Sequence, residues 1–382
     1  MARPTLTMIP SGYKAQKVYS VLPTNGDGDF TFDRTTTATR VNKDGLIEQV
    51  ATDVPRLDYS DGSCPSLLLE PSSVNLALYS QDFSQSDWSV FDVSKSANSV
   101  LSPDGTLNGA RITALDGTNK ALQQLVTVSA DPSNDRVFTG SIYIKSSSVT
   151  SCFLRVGSAT SNNAITITSE WQRFESTAQQ TLTSSICGLD LRGGIASTSD
   201  ILVYGIQIEQ QPYATSYIPT SGASSTRLRD LANGSGNSTL INSTEGTLYV
   251  EIARNSNEGS NGGIQINDGS IDNSIRLFFN QANTISVITR VGGSNNVVKT
   301  AQGITSSTAM NKFALVYKLN DYKLYYNGNL LWSDTTAIVY PVGTLNNLDF
   351  LNQTTPFNGE VKAIAVYKEA LTDAQLTLLT TI

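Results

Sequence analysis

Val137-Phe138-Thr139-Gly140-Ser141-Ile142-Tyr143-Ile144-Lys145 decides the fold class. Apolar and polar residues alternate along most of it, which is the period of a strand with one buried face. Its centre, Ile142-Tyr143-Ile144, is β-branched and aromatic and suits a pleated, half-buried surface. Outward from this run, short segments of the same kind recur at regular spacing. They are Ala110-Arg111-Ile112-Thr113, Leu122 to Val128, Ser151 to Val156, Trp171 to Ser176 and Ile201 to Glu209. Ser, Asn and Gly fill the turns between them, so residues 73–222 are expected to form an antiparallel sandwich.

The same reasoning extends to both sides. Residues 246–382 read as a further sandwich, with strands at Leu248 to Ile252, Ile275 to Phe279, Thr284 to Arg290, Lys312 to Lys318, Tyr322 to Tyr326 and Val361 to Tyr367. Asn327-Gly328, directly after Lys323-Leu324-Tyr325-Tyr326, is a hairpin turn signal. Thr372-Asp373-Ala374-Gln375 before Leu376, Leu378 and Leu379 fits a capping box and predicts a terminal helix. Residues 223–245, with Asn233-Gly234-Ser235-Gly236-Asn237-Ser238, read as a linker or a long surface connection. Residues 1–72 read as an irregular β module, with a strand at Phe30-Thr31-Phe32-Asp33-Arg34 and a hairpin turn at Asn42-Lys43-Asp44-Gly45. So few large apolar groups make that piece marginal alone, and packing on neighbours or on another protein is expected to support it.

Composition removes several function classes. The 26 basic and 33 acidic residues give a net charge of −7 without any Lys/Arg run. A phosphate-binding surface needs clustered cations, so nucleic acid is not an expected partner. No stretch of about 18 apolar residues exists, so membrane insertion by a helix is not expected. Met1-Ala2-Arg3-Pro4-Thr5 lacks the apolar core of a secretory signal, so exit by another route, such as host lysis, is expected. The chain has no histidine, which excludes Ser-His-Asp and Cys-His catalysis and disfavours a conventional zinc site. Cys64, Cys152 and Cys187 are read as reduced, largely buried thiols, with a Cys152–Cys187 bridge as the alternative.

Few residues qualify as a site. Asn25-Gly26-Asp27-Gly28-Asp29 has the oxygen-rich alternation of a calcium loop, but Phe30 and Thr36 stand where the sixth-position glycine and twelfth-position acid belong. It is read as a turn, with structural calcium left open elsewhere and no metal-ligating or catalytic residue assigned. Sugar binding asks for exposed aromatic faces beside amides and carboxylates. Trp88 and Trp171 are read as core residues. Trp332, near Asn329 and Asp334, is the better candidate for exposure. Tyr322, Tyr325 and Tyr326 share one strand and must point to both its faces, so one side is expected to be less buried. The carbohydrate-binding candidates are therefore Trp332, Tyr322, Tyr326 and Asn329. Glu251 and Glu360 stand isolated, without the acidic pairing a β-sandwich glycosidase would carry on one strand.

Three sets of motifs carry a resemblance. Phe30 to Arg34 with Thr37-Ala38-Thr39-Arg40-Val41-Asn42 and Gly45-Leu46-Ile47-Glu48 resembles an N-terminal module of bacteriophage structural proteins, which precedes segments like Leu67-Leu68-Leu69-Glu70 and Asn75-Leu76. Ser80-Gln81-Asp82-Phe83 with Trp88, Pro103-Asp104-Gly105-Thr106, Trp171-Gln172-Arg173-Phe174 and Tyr204-Gly205-Ile206-Gln207-Ile208-Glu209 resemble a carbohydrate-binding-module-like jelly roll, as do Tyr217-Ile218-Pro219-Thr220 and Thr226-Arg227. Tyr325-Tyr326-Asn327-Gly328-Asn329-Leu330, Phe357-Asn358-Gly359-Glu360-Val361 and Leu371 to Leu376 resemble a concanavalin A/laminin G-like sandwich.

The resemblance implies an all-β chain: an N-terminal virion-attachment module over 1–72, a jelly roll over 73–222, a linker over 223–245 and a laminin G-like sandwich over 246–382. It also implies a non-enzymatic tail fibre, spike or head fibre located on the virion. Its partners would be other virion proteins of capsid, collar or tail and host-surface glycans, and a homotrimer would multiply weak sugar contacts. Two alternatives stand beside this: a purely architectural collar or decoration protein, and a glycan-active enzyme. A bacterial adhesin is disfavoured, because neither end carries an export or anchoring signal.

Overall fold

Alternation along the strands is realised as two-faced sheets throughout the computed structural model, which describes residues 2–128, 136–147, 150–157, 159–180, 184–192, 200–257 and 262–382. In the strand Arg136–Lys145, Phe138, Ile142 and Ile144 point into a core while Tyr143 points out. Gly140 shares the inward side because nothing larger fits: a Cβ there would lie 2.5 Å from Val156 Cγ2. Among the described residues the structure is all-β apart from one helix, and the chain divides into two compact units.

One unit comprises Ala38–Gln49 and Ser72–Leu228. It is a jelly-roll sandwich of two five-stranded antiparallel sheets. One sheet runs in the order Val93–Val100, Gly109–Ala114, Asp200–Glu209, Arg136–Lys145, Gln172–Gln180. The other runs Ser89–Phe91, Ala121–Thr127, Ser184–Asp190, Thr150–Gly157, Ala159–Ile167. Ile112, Leu122, Phe138, Leu154, Leu189, Val203 and Ile208 fill the space between them. The hairpin turn expected at Asn42–Gly45 is present: Gly45 takes φ +77 and the amide of Asn42 donates to Leu46 O at 2.8 Å.

The other unit comprises Met1–Thr37, Val50–Pro71 and Arg229–Ile382. Its larger sheet runs Asn329–Asp334, Tyr322–Tyr326, Asn311–Lys318, Glu245–Arg254, Gly359–Tyr367, Ser66–Leu69, Arg56–Asp58. The strand Gly359–Tyr367 is long enough to take two partners on one edge: Leu67–Leu69 pairs with residues 359–361, and Leu6–Met8 pairs with residues 364–366. Facing it is a five-stranded sheet in the order Ser294–Gln302, Thr284–Val291, Ser274–Gln281, Gly263–Asn267, Asn347–Asp349. Leu6, Phe30, Leu67 and Leu69 share one core with Leu248, Ile266, Leu277 and Phe313.

This division differs from the four-part reading of the sequence. Residues 1–37 and 50–71 do not stand apart; they complete an edge and a core of the sandwich that also holds 246–382. Their few large apolar side chains could not close a core of their own. The stretch 223–245, expected as a linker, is paired and in part buried. Ser225–Arg227 pairs with Ser73–Asn75, Leu231–Asn233 pairs with Phe30–Asp33, and Asp230 is buried.

The terminal helix, Asp373–Thr380, has the expected capping box, in which the Thr372 side chain accepts from the Gln375 amide and the Gln375 side chain returns to the Thr372 backbone. Its Leu376, with Leu371, packs on Tyr249, Val316, Tyr325 and Tyr367, the face of the larger sheet turned away from the main core. Both faces of that sheet are therefore covered at Tyr325.

Candidate functional site

The strand Tyr322–Tyr326 sends Tyr322, Leu324 and Tyr326 into the main core and Tyr325 beneath the helix. Tyr322 is fully buried and donates its hydroxyl to Ile338 O at 2.9 Å. Tyr326 stacks on Phe313 at 5.3 Å between centroids, and its hydroxyl accepts from the Thr305 amide. Burial drives the Tyr322 hydroxyl well above its ordinary range. Trp332, on the next strand and opposite Leu324, is half-buried against the same core. Asn329 is exposed and donates to Asn327 O. The four candidate residues thus form no shared exposed face. The expectation that one side of Tyr322–Tyr326 is less buried is corrected, because the terminal helix covers the side the core does not.

Chemistry gathers instead on the outward face of the five-stranded sheet. Ile275, Leu277 and Phe279 face the core, so Ser274, Arg276 and Phe278 face outward. Register aligns two rows across the sheet. One runs Val298, Ile288, Arg276, Gln265, Asp349, and the next runs Asn295, Arg290, Ser274, Asn267, Asn347. Asp349 is already occupied, accepting from Asn267 Nδ2 at 2.8 Å, Asn347 Nδ2 at 2.6 Å, the Gly234 amide at 2.9 Å and Gln265 Nε2 at 3.5 Å. The segment after it lies over the sheet, where the Gln353 amide donates to Gln265 Oε1 and Asn352 Oδ1 accepts from Arg276 Nη1 at 3.3 Å.

Arg276 is only 3% exposed, yet among the described residues no carboxylate pairs with it and its Nε has no hydrogen-bond partner. Burial, and then the neighbouring Arg290, pull its guanidinium below the ordinary value. Arg290 is more open; it donates to Gly293 O, and its Nη2 stands 3.8 Å from the largely exposed Asp272 carboxylate. Sequence reasoning passed over this pair. The signal was present in the alternation of Ser274-Ile275-Arg276-Leu277, which puts a cation mid-strand on the outward side.

Comparisons with solved structures give partial likenesses. The CBM40 module of a Ruminococcus gnavus IT-sialidase, bound to alpha2,3 sialyllactose, is 21% identical, with 39% of this chain and 94% of that one covered and a TM-score of 0.34. Domain 4 of a GH43 extracellular arabinanase from Geobacillus stearothermophilus, in complex with arabinotriose, is 14% identical over 45% of this chain and 84% of that one, at a TM-score of 0.33. A SAP-like pentraxin from Limulus polyphemus is 11% identical over 36% and 71%, at 0.30. No family model matches the chain, and no curated protein does.

Other sequence candidates resolve as follows. In the Asn25–Asp29 turn, Asp29 pairs with Lys17 at 3.3 Å and accepts from the Ser20 amide, so its carboxylate closes the turn. Among the described residues no group of three His, Cys, Asp or Glu could hold a metal ion. Cys152 and Cys187 are buried free thiols that burial pushes up to about 12. Cys64 is free too, but exposed, contrary to the expectation of three largely buried thiols. Glu360, expected as isolated, sits near Asp61 and Asp58; burial, and then Asp61, raise its carboxyl to about 7.

In the jelly roll, Trp88 is buried against Phe83 as expected, whereas Trp171 is half-buried beside Tyr143, Tyr204 and Tyr217. Lys145 lies 5.0 Å over the Trp171 ring and Arg173 lies 5.5 Å over Tyr143. Both half-open rings are thus already in contact with cations of the same chain.

Proposed function

We propose that this chain is a non-enzymatic structural protein of a bacteriophage virion, displayed as a tail fibre, spike or head fibre, whose C-terminal sandwich binds host-surface glycans. The observation that carries the glycan half is the outward face of the five-stranded sheet. There the guanidinium side chains of Arg276 and Arg290 stand on rigid, neighbouring strands, each with an Nε that has no hydrogen-bond partner. Saccharides are recognised by such preplaced donors, and strands hold them more accurately than loops do. The virion half rests on the resemblance of residues 30–48 and 67–76 to phage structural proteins. Homotrimeric display belongs to the same reading, since it would multiply weak contacts.

A second reading is a purely architectural collar or decoration protein that binds other virion proteins. It draws support from Tyr322, Tyr325 and Tyr326, which are all spent on packing. The non-enzymatic reading draws support from the sequence, which has no histidine and no acidic pair on one strand of the kind a β-sandwich glycosidase carries.

Immunogold imaging of phage particles with an antibody against residues 246–382 tests the assignment. Label at fibres or the tail tip is the expected result. Label confined to the collar or capsid transfers the case to the architectural reading. Free protein in the lysate beside unlabelled particles overturns the virion assignment.

A further inference from the structure

We infer that Arg276 and Arg290 receive an oxyanion carried on the bound saccharide, either a carboxylate or a sulfate ester. The inference rests on the glycan-binding reading above and names the ligand class for that face.

Arg276 carries a charge without a counter-charge among the described residues. A guanidinium removed from water is tolerated when a carboxylate or a full set of acceptors replaces the lost hydration. Elsewhere in the same unit this rule is obeyed: Arg34 and Arg56 are both fully buried, and both pair with Asp230. Arg276 is buried to nearly the same degree with one neutral acceptor, Asn352 Oδ1, and with an unpartnered Nε. The nearest carboxylate in its row, Asp349, is held by four amide donors, from Asn267, Asn347, Gln265 and the Gly234 backbone.

The second cation sharpens the point. Ser274, two residues before Arg276, is the register partner of Arg290, so the two arginines project from adjacent strands on one face. Burial, and then Arg290, pull the Arg276 guanidinium below its ordinary value, and each of the two has a buried Nε without a partner. Among the described residues Arg276 has no carboxylate partner and Arg290 has only the largely exposed Asp272, 3.8 Å away, so the pair leaves an excess of positive charge in the empty protein. An incoming oxyanion relieves both at once. A planar guanidinium fork matches the two oxygens of a carboxylate or sulfate, which an uncharged hydroxyl group does not. Arg290, the more open of the two, is the point of entry.

The test uses the full chain on an array of uronic-acid-bearing, sulfated and neutral oligosaccharides of matched length. The variants are Arg276→Gln, Arg290→Gln and, as a control for net charge, Lys318→Gln on a different sheet. The expected result is retention of acidic saccharides only, with a loss of about 10- to 100-fold in each arginine variant and none in Lys318→Gln, the scale of a charged hydrogen bond. Carboxylated and sulfated arms separate the two sources of the oxyanion. Because Arg276→Gln could disturb packing, each variant is also melted with sulfate against chloride at matched ionic strength. Stabilisation by sulfate in the wild type that disappears in Arg290→Gln supports the site independently of Arg276.

Equal retention of neutral and acidic saccharides, unchanged by the arginine variants, overturns the oxyanion and leaves glycan binding standing. Retention of no saccharide at all overturns the glycan reading and this inference with it.

Discussion

The amide of Glu70 donates to the Asp230 carboxylate at 2.9 Å, and the amide of Asp230 donates back to Glu70 O at 3.0 Å. Residues 70 and 230 are 160 positions apart, and between them the chain leaves this unit and returns to it. The carboxylate of Asp230 also pairs with Arg34 at 3.0 Å and with Arg56, which in turn reaches Glu70 at 2.6 Å. Two buried cations and two buried anions therefore balance at the place where the two ends of the excursion meet.

Replacing Asp230 by Asn keeps the volume and removes the charge both arginines share. Breaking a buried pair from one side costs about 3–5 kcal/mol, because the remaining ion stays desolvated. Urea unfolding of Asp230→Asn is expected to show a loss of that size. A loss below about 1 kcal/mol, the scale of a surface pair, would sink the idea that this cluster closes the unit.

The terminal helix gives a second prediction. Leu376 is fully buried against Tyr249, Tyr325 and Tyr367, so Leu376→Ala should cost about 2–5 kcal/mol. The same change should raise tyrosine accessibility to iodide quenching, because Tyr325 loses its cover. Unchanged stability would mean that the helix is not what buries that face.

How much of this was legible beforehand divides by sequence distance. Asn327-Gly328 and Thr372-Asp373-Ala374-Gln375 were readable because turn and cap chemistry lies within four residues. Asn327 and Gly328 do take φ 44 and 86, as the hairpin needs. The pairing of Leu6–Met8 with residues 364–366 was not readable, since alternation says that a strand exists and not which edge it joins. The tyrosine candidates failed for a related reason. Period two correctly put Tyr325 on the opposite side from Tyr322 and Tyr326, but a helix distant from it in sequence decides whether that side is wet. Arg276 shows the reverse case: its outward direction was readable, and its burial beneath Asn352 was not.

Thiol chemistry offers a third prediction. Only Cys64 among the three cysteines is exposed, while Cys152 and Cys187 are buried with their thiols pushed up to about 12. The thiolate is the reactive form, so a maleimide at neutral pH should modify Cys64 alone until the protein is unfolded. Mass spectrometry of the labelled native protein checks this. Modification of Cys152 or Cys187 at a comparable rate would contradict their burial.

The carboxyls at the edge of the larger sheet give a pH dependence whose sign is fixed. Glu360 faces Leu68 across the sheet, Asp58 faces Ser66, and Asp61 lies in the turn that joins those two strands. Burial, and then Asp61, raise the Glu360 carboxyl from 4.5 to about 7, so the folded chain holds a proton there that the unfolded chain releases earlier. Stability from this group is fully present below about pH 4.5 and is lost as pH rises toward 7, by up to about 3 kcal/mol. Above about pH 8 it contributes no further slope. Glu360→Gln keeps the hydrogen-bonding capacity and cannot ionise, so its stability should run level between pH 5 and 8 where the wild type declines. Parallel urea titrations across that range decide it. Identical slopes in the two proteins would place the titrating group elsewhere.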